Sequence, residues 1–155
     1  MKKVLPVLYD NFESPSYSFT EGGSSPNSKW TNLFLGGGTS GVRSGVMWLT
    51  PQASTSPGET HATENKSTTT WNDFDTTFKM RTLQQLRTGS APNTWETAWL
   101  IFRYTDDWHH YYFTIKTNGC EFGRKDYFPH VEQQMFLATP GTPTATMNQC
   151  LMSVY

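Results

Sequence analysis

The sequence predicts an all-β fold, a two-sheet antiparallel sandwich, on the strength of three observations. Apolar runs rich in β-branched and aromatic residues alternate with clusters of Gly, Pro, Asn and Asp, which is typical of strands joined by turns. Aromatic residues make up 15% of the chain and charged residues 16%, a balance that suits sheets packed through large rings. No helical periodicity of any length is visible. The 155 residues are the size of one domain, so we predict a single domain over 1–155.

The first half of the chain predicts short strands separated by long polar loops. We expect strands at residues 4–12, 30–35 and 42–50 and an exposed strand at 67–70. The loops between them are rich in Ser, Gly, Pro and Thr, which are the residues that form turns.

The stretch from 71 to 124 predicts an antiparallel meander, which we expect to be the centre of the fold. Its apolar-aromatic runs cover 74–86, 95–104 and 108–116, and turn chemistry follows each run. A further strand through Cys120 and Glu121 and a short one at 133–138 complete the prediction. A single helical turn near 130–135 is the one helical element that we allow.

Side chains along a strand alternate between two faces, which predicts a candidate binding surface on the meander. One face of the run 108–116 is polar and aromatic, so we expect it to point outward. Trp99 and Arg103 should lie on the same surface. The outward set within this run is His110, Tyr112, Thr114 and Lys116.

Charge and hydropathy exclude several classes of partner. The formal net charge is −1, and no basic run exceeds Met1-Lys2-Lys3 or Arg124-Lys125, so we expect no nucleic-acid partner. No apolar run approaches the length of a membrane span, and the apolar segment at 4–8 is too short for a signal peptide. If the protein is secreted, its signal has been removed or is not in this sequence. A Cys120–Cys150 disulfide is left open.

The run TAWLIFRYTDDWHHYYFTIKTNGCEFGRKD at 97–126 resembles the central meander of concanavalin A-like jelly rolls. It is most similar to the group of 3-keto-disaccharide hydrolase-like and laminin-G-like glucanase domains. The opening YDNFE at 9–13, followed by SPNSKW at 25–30, resembles the first strand of such domains. The resemblance covers about 8–140 and implies a jelly roll that handles carbohydrate outside the cytoplasm. The same fold hosts hydrolases, lyases, lectins and binding modules, so it does not choose between them.

The resemblance lapses toward the end of the chain. Domains of this group continue after the segment that here reads FLATPGTP with several closing strands, and 144–155 does not read like them. We therefore expect the chain to be truncated or divergent after about 144. Unclosed sheet edges favour pairing with another chain, so a homo-oligomer is a further expectation.

The leading functional hypothesis is a glycoside hydrolase that acts on a polysaccharide. Such enzymes place two carboxyl groups across the scissile bond, and our candidates for the catalytic pair are Glu96 and Glu121. The alternative for these glutamates is an ion pair with Arg103 or Lys116. Aromatic rings stack on sugars and polar side chains bind the hydroxyl groups. The predicted substrate-binding residues are Trp99, Arg103, His110, Tyr112, Lys116 and Gln84.

Three other functions stay open at the level of the sequence. A non-catalytic carbohydrate-binding module needs only aromatic and hydrogen-bonding side chains in its groove. A polysaccharide lyase needs a base and cations that neutralise a uronate carboxylate. Arg103, His110, Tyr112, Lys116, Gln84 and Gln85 could supply that set. A structural subunit would use its unclosed edges for assembly.

No cofactor is required for any of these functions, but a structural calcium ion is one expectation that the resemblance implies. Calcium takes carboxylate and carbonyl oxygens at loop ends. Asp10, Asn11 and Glu13 are the candidate ligands. The alternative is that these side chains cap a turn, as Asp and Asn commonly do.

Overall fold

The computed structural model describes residues 8–72, 74–126 and, as a paired strand, 131–137. These residues form nine strands and no helix. The strands of the first half are short: β1 (Tyr17–Ser18), β2 (Trp30–Phe34), β3 (Thr39–Arg43), β4 (Val46–Thr50) and β5 (Glu64–Ser67). Longer strands follow: β6 (Trp99–Asp106), β7 (His109–Lys116), β8 (Gly119–Asp126) and β9 (Val131–Leu137).

The strands form three antiparallel sets. Strand order is β1-β3-β4 in the first, β2-β5 in the second and β6-β7-β8-β9 in the third. The predicted all-β, antiparallel class is therefore confirmed, and the sheets have the character of a β-sandwich. The jelly-roll connection of the strands stays a prediction.

The described residues fall into two compact units. Unit 1 contains residues up to 70 together with 86–90, and unit 2 contains 71–85 together with the residues from 91 onward. Strands β1–β5 belong to unit 1 and β6–β9 to unit 2. The single-domain prediction is not tested by this division.

Unit 1 contains a hairpin and a hydrogen-bonded pair of asparagines, of which Asn32 is buried and Asn65 is partly buried. Ser44 and Gly45 connect β3 to β4 with φ angles of 50° and 73°, the pattern of a two-residue turn with both central residues left-handed. In the β2–β5 pair, Asn32 lies opposite Asn65. The Asn32 side-chain amide donates to Asn65 Oδ1 at 2.9 Å and to the Glu64 carbonyl at 2.9 Å. Asn32 is 1% exposed, so these bonds replace water for a buried amide.

Unit 2 contains the predicted meander except for its first run, 74–86, which forms no strand. Two-residue turns join β6 to β7 and β7 to β8, since Asp106 pairs with His109 and Lys116 with Gly119. One face of the sheet packs a small core of Phe113, Ile115 and Cys120 against the partly buried Phe78 and Met80. The side chains of these two residues come from a segment that crosses this face without forming a strand.

Several predicted elements differ from the structure. No strand forms over 8–12, because Asp10 there closes a turn by accepting the Phe12 N–H at 2.9 Å. The predicted strand at 42–50 is instead a hairpin, and the predicted run 74–86 contains no strand. The strand expected at 67–70 is wrong over most of its length, because β5 covers Glu64–Ser67 and shares only Ser67 with it. The helical turn expected near 130–135 is wrong, since β9 occupies most of that range.

Two further expectations concern membrane spans and the end of the chain. Within the described ranges, no helix is long and apolar enough to cross a membrane. The divergent segment at 144–155 lies outside them, and so does Cys150 of the open Cys120–Cys150 pairing.

Candidate functional site

A cleft of about 220 Å³ lies on unit 2, where the β6–β7 hairpin meets the end of β8. We call it the basic cleft, because it collects arginine, lysine and histidine side chains. Its lining residues are Arg103, Thr105, His109, His110, Tyr111, Arg124, Lys125 and Asp126. Two of them, Arg103 and His110, are predicted substrate-binding residues.

Local backbone irregularity brings Arg103 to the cleft. The pairing of β6 with β7 shifts between Phe102 and Asp106, so β6 bulges there. Arg103 has a φ of 50°, a left-handed conformation that costs a non-glycine residue about 1–3 kcal/mol. The side chain is exposed, and the bulge re-aims it relative to a regular strand.

Strand register places the other cations. Counting outward from the β7–β8 turn, His110 lies opposite Lys125 and Tyr111 opposite Arg124. Arg124 forms an ion pair with Asp126 at 2.8 Å. The pKa of Arg124 is raised by a hydrogen bond with the Tyr111 side chain and by the charge of Asp126, so Arg124 stays charged.

His110 is held in one tautomer. Its Nδ1 lies 3.1 Å from the Asp106 carbonyl oxygen, which can only accept, so Nδ1 carries the hydrogen. Burial lowers the pKa of His110, and the charge of Lys125 lowers it further, against the raising effect of the Asp106 carbonyl. The ring is therefore neutral near pH 7, which leaves Nε2 as an acceptor nitrogen.

The turn beside the cleft is fixed by Asp106. Its carboxylate accepts the Trp108 N–H at 2.8 Å and lies 2.8 Å from His109 Nδ1. The pKa of Asp106 is lowered by the Trp108 N–H first and by His109 second. Trp108 stands at the tip of this turn and is 57% exposed.

Four other predicted site residues lie together in a separate cluster on the sheet. Tyr112 donates to Glu121 Oε1 at 3.0 Å, and Lys116 Nζ lies 2.6 Å from Glu121 Oε2. The Trp99 ring lies 4.4 Å from the Tyr112 ring, centroid to centroid. Gly123 makes room for Tyr112, since a Cβ there would lie 2.2 Å from the ring. We call these four side chains, Trp99, Tyr112, Lys116 and Glu121, the Glu121 cluster.

The predicted outward orientation of this face is wrong for most of its residues. His110 is 5% exposed and Tyr112 and Thr114 are fully buried, and the Lys116 side chain is 12% exposed. The prediction that Trp99 shares this face is confirmed, because Trp99 pairs with Thr114. The polarity of these side chains led to the wrong prediction, because each of them has a hydrogen-bond partner inside the protein.

The two predicted catalytic glutamates have different partners. Glu121 is 3% exposed and makes the ion pair with Lys116 that was the alternative interpretation. Glu96 accepts from the Asn93 N–H at 3.2 Å and the Asn93 amide at 3.1 Å, closing a turn. Gln84 is exposed and does not line the basic cleft. The catalytic assignment stays a prediction.

The calcium candidates make contacts within unit 1. The Asp10 carboxylate accepts from Phe12, from Asn27 at 3.0 Å and from the Trp30 indole at 2.9 Å. Burial opposes ionisation, but these bonds together lower the pKa of Asp10. Asn11 accepts the Glu13 N–H at 3.3 Å. Across the described part of the chain, no three His, Cys, Asp or Glu side chains form a metal-binding group.

A second cleft, of about 330 Å³, lies on unit 1 and was not predicted. The Arg43 guanidinium lies 5.7 Å from the centroid of the Trp48 ring. Trp48 lies close over Gly41 of the neighbouring strand. The lining residues are Ser16, Tyr17, Ser18, Val42, Arg43 and Trp48.

Comparisons with known proteins add no family. No family model, no curated protein and no solved structure matches the chain. The chemistry of the clefts is therefore the basis for a function.

Proposed function

We propose that this chain binds carbohydrate at the basic cleft and does not cleave it. The observation that carries the proposal is the set of side chains that line the cleft. Arg103 and Lys125 are hydrogen-bond donors, neutral His110 offers an acceptor, and Tyr111 adds an aromatic ring. Sugar hydroxyl groups both donate and accept, so a mixed set of this kind suits them.

The carboxylates support binding rather than hydrolysis. Glycoside hydrolysis needs two carboxyl groups on either side of the bond. Among the described residues that line the basic cleft, Asp126 is the one carboxylate, and it is paired with Arg124. Glu121 is buried against Tyr112 and Lys116. We therefore place the non-catalytic module ahead of the hydrolase, which stays the second candidate.

The wider setting of the proposal comes from the sequence. The resemblance to concanavalin A-like domains, of the 3-keto-disaccharide hydrolase-like and laminin-G-like glucanase group, accords with the all-β antiparallel class. An extracellular location, a structural calcium ion and self-association through sheet edges remain proposals of the same kind. None of them is needed for the binding proposal.

The test is a panel of soluble polysaccharides, with binding measured for wild type and for charge variants. We expect Arg103→Gln and Lys125→Gln to weaken binding by about tenfold each, since a lost charge-assisted hydrogen bond costs about 1.5–3 kcal/mol. Arg81→Gln is the matched control, because Arg81 is exposed on unit 2 outside the cleft. Thermal melts of every variant confirm that each is folded.

Two outcomes contradict the proposal. One is that no polysaccharide binds. The other is that binding is lost in Arg43→Gln but unchanged in Arg103→Gln and Lys125→Gln. The second result would move the site to the cleft that contains Trp48.

A further inference from the structure

We infer that the basic cleft selects acidic sugars, and that it binds the carboxylate of a uronic acid unit. The inference rests on the proposed function and adds the chemical class of the ligand. The main support is the local charge. Arg103, Arg124 and Lys125 line the cleft with positive charge, while Asp126 is the one negative group among its described lining residues.

The charge of the cleft contrasts with that of the chain. The whole sequence has a formal net charge of −1, so the cationic cleft is a local feature and not part of a generally basic protein. A weakly acidic protein has no long-range attraction for polyanions. An anion bound here is therefore recognised by the side chains that contact it.

The geometry of the cations fits a carboxylate. An arginine guanidinium presents a planar fork of donors that matches the two oxygens of a carboxylate. Arg103 stands on the bulge of β6. Arg124 and Lys125 follow one another on β8, where successive side chains point to opposite faces of the sheet. All three line the same 220 Å³ space, which therefore has donors from β6 and from β8.

The ion pair inside the cleft does not block an anionic ligand. The Arg124 and Asp126 side chains are 38% and 36% exposed. Surface pairs of this kind contribute little to stability. Arg124 can therefore turn part of its fork toward a ligand while keeping its contact with Asp126.

Neutral His110 favours a sugar over an anion that has no hydrogen-bond donor. A sulfate ester or a phosphodiester offers only acceptor oxygens at neutral pH, whereas Nε2 of the neutral ring is itself an acceptor. A uronic acid unit carries both kinds of group, a carboxylate for the cations and hydroxyl donors for His110. This combination favours a carboxylated sugar over a simple polyanion.

The experiment compares each acidic polymer with its own neutral form. Polygalacturonate and alginate are each tested beside the same polymer after chemical reduction of its carboxyl groups. We expect wild type to bind at least one acidic polymer about tenfold more tightly than its reduced form, and binding to weaken between about 50 mM and about 500 mM salt. Arg103→Gln and Lys125→Gln should reduce the difference in affinity between the acidic polymer and its reduced form. Lys79→Gln should leave that difference unchanged, because Lys79 is exposed and does not line the cleft.

The possible results distinguish a failure of the inference from a failure of the proposed function. Equal binding of an acidic polymer and its reduced form, or binding of neutral polymers alone, overturns the inference and leaves carbohydrate binding in place. If dextran sulfate and single-stranded DNA bind as tightly as the acidic polysaccharides, the cleft attracts anions in general, and carboxylate selection is overturned. Binding of no polymer in either form overturns the proposed function as well.

Discussion

Lys116 and Glu121 show, at the scale of single residues, how a buried ion pair can look like a binding surface. Their side chains are 12% and 4% exposed, and they meet at 2.6 Å. A pair this deep gains little net stability over an apolar pair, but breaking it leaves one charge buried and uncompensated.

We predict that Lys116→Met lowers the free energy of unfolding by about 3 kcal/mol, because Glu121 is then buried without its partner charge. The double variant Lys116→Met with Glu121→Gln, which keeps an acceptor for the Tyr112 hydroxyl group, should recover most of this loss. Urea unfolding of wild type, both single variants and the double variant forms a complete cycle. If the double variant lowers the free energy of unfolding by the sum of the two single effects, the two charges do not act as a pair.

His110 gives the stability of the protein a dependence on pH. Burial and the charge of Lys125 lower the pKa of His110 below its usual 6.5, against the Asp106 carbonyl. The unfolded chain then binds the proton more readily than the folded protein. Stability is complete above the unfolded pKa and declines as the pH falls through 6.5 toward the lowered folded value.

We therefore expect the free energy of unfolding to be lower at about pH 5.5 than at about pH 7.5, and this decrease to be smaller in His110→Gln, which does not titrate. Urea unfolding at the two pH values is the measurement. An equal decrease in wild type and His110→Gln would assign the effect to other groups.

The Ser44–Gly45 turn determines, at the scale of elements, where β3 ends and β4 begins. This turn was not predicted, because Ser-Gly lies inside an alternating apolar run, which we interpreted as one strand. Ser44 has a φ of 50°. Asparagine tolerates this conformation better than serine, and valine tolerates it poorly.

Replacing Ser44 by Asn should raise the free energy of unfolding by up to about 1 kcal/mol. In a domain of this size, that is a rise of about 2–4 °C in melting temperature. In Ser44→Val, by contrast, the melting temperature should fall. Melting temperatures that are unchanged in both Ser44→Asn and Ser44→Val would contradict this explanation of the turn.

The meander was predictable because its turns are short and its strands are long. Asn118 and Gly119 fixed one turn, and Asp106 and Asp107 indicated the other, so β7 was predicted to within one residue. The run 74–86 was misassigned because its apolar residues Phe78 and Met80 pack over the sheet instead of pairing within it. Composition alone does not distinguish these two arrangements.

The candidate site was only partly predictable for a related reason. Arg103 and His110 were expected on one surface from alternation. Arg124 and Lys125 were visible in the sequence as a basic doublet, and the turn at 117–118 sets their register with Tyr111 and His110. Their place in the cleft was missed because we interpreted the doublet only as a charge run. The bulge at Arg103 has no signal in the sequence.

At the scale of the whole molecule, the chain leaves unit 1 for unit 2 and returns to unit 1 for one short segment. Residues 86–90 belong to unit 1, although 71–85 belong to unit 2. Arg87 anchors this return, since its guanidinium donates to the Ser56 carbonyl and, at 2.6 Å, to the Glu59 carbonyl. The Glu59 side chain holds the same loop: the Thr55 N–H first and His61 second lower its pKa to about 2.

The two clefts described above, one on each unit, differ in chemistry. The basic cleft of unit 2 combines cations with a neutral histidine. The cleft of unit 1 combines one arginine with the Trp48 ring and two serines. The charge of the first cleft is the reason that we assign carbohydrate binding to it and expect an acidic sugar there.

The central claim is binding without cleavage, and one measurement tests both parts of it. Wild-type protein is incubated with the polysaccharide panel, and bound polymer and released reducing ends are measured in the same samples. We predict binding of an acidic polysaccharide with no release above the protein-free control. Release by wild type that disappears in a folded Glu121→Gln variant would contradict the claim and establish a hydrolase that uses Glu121.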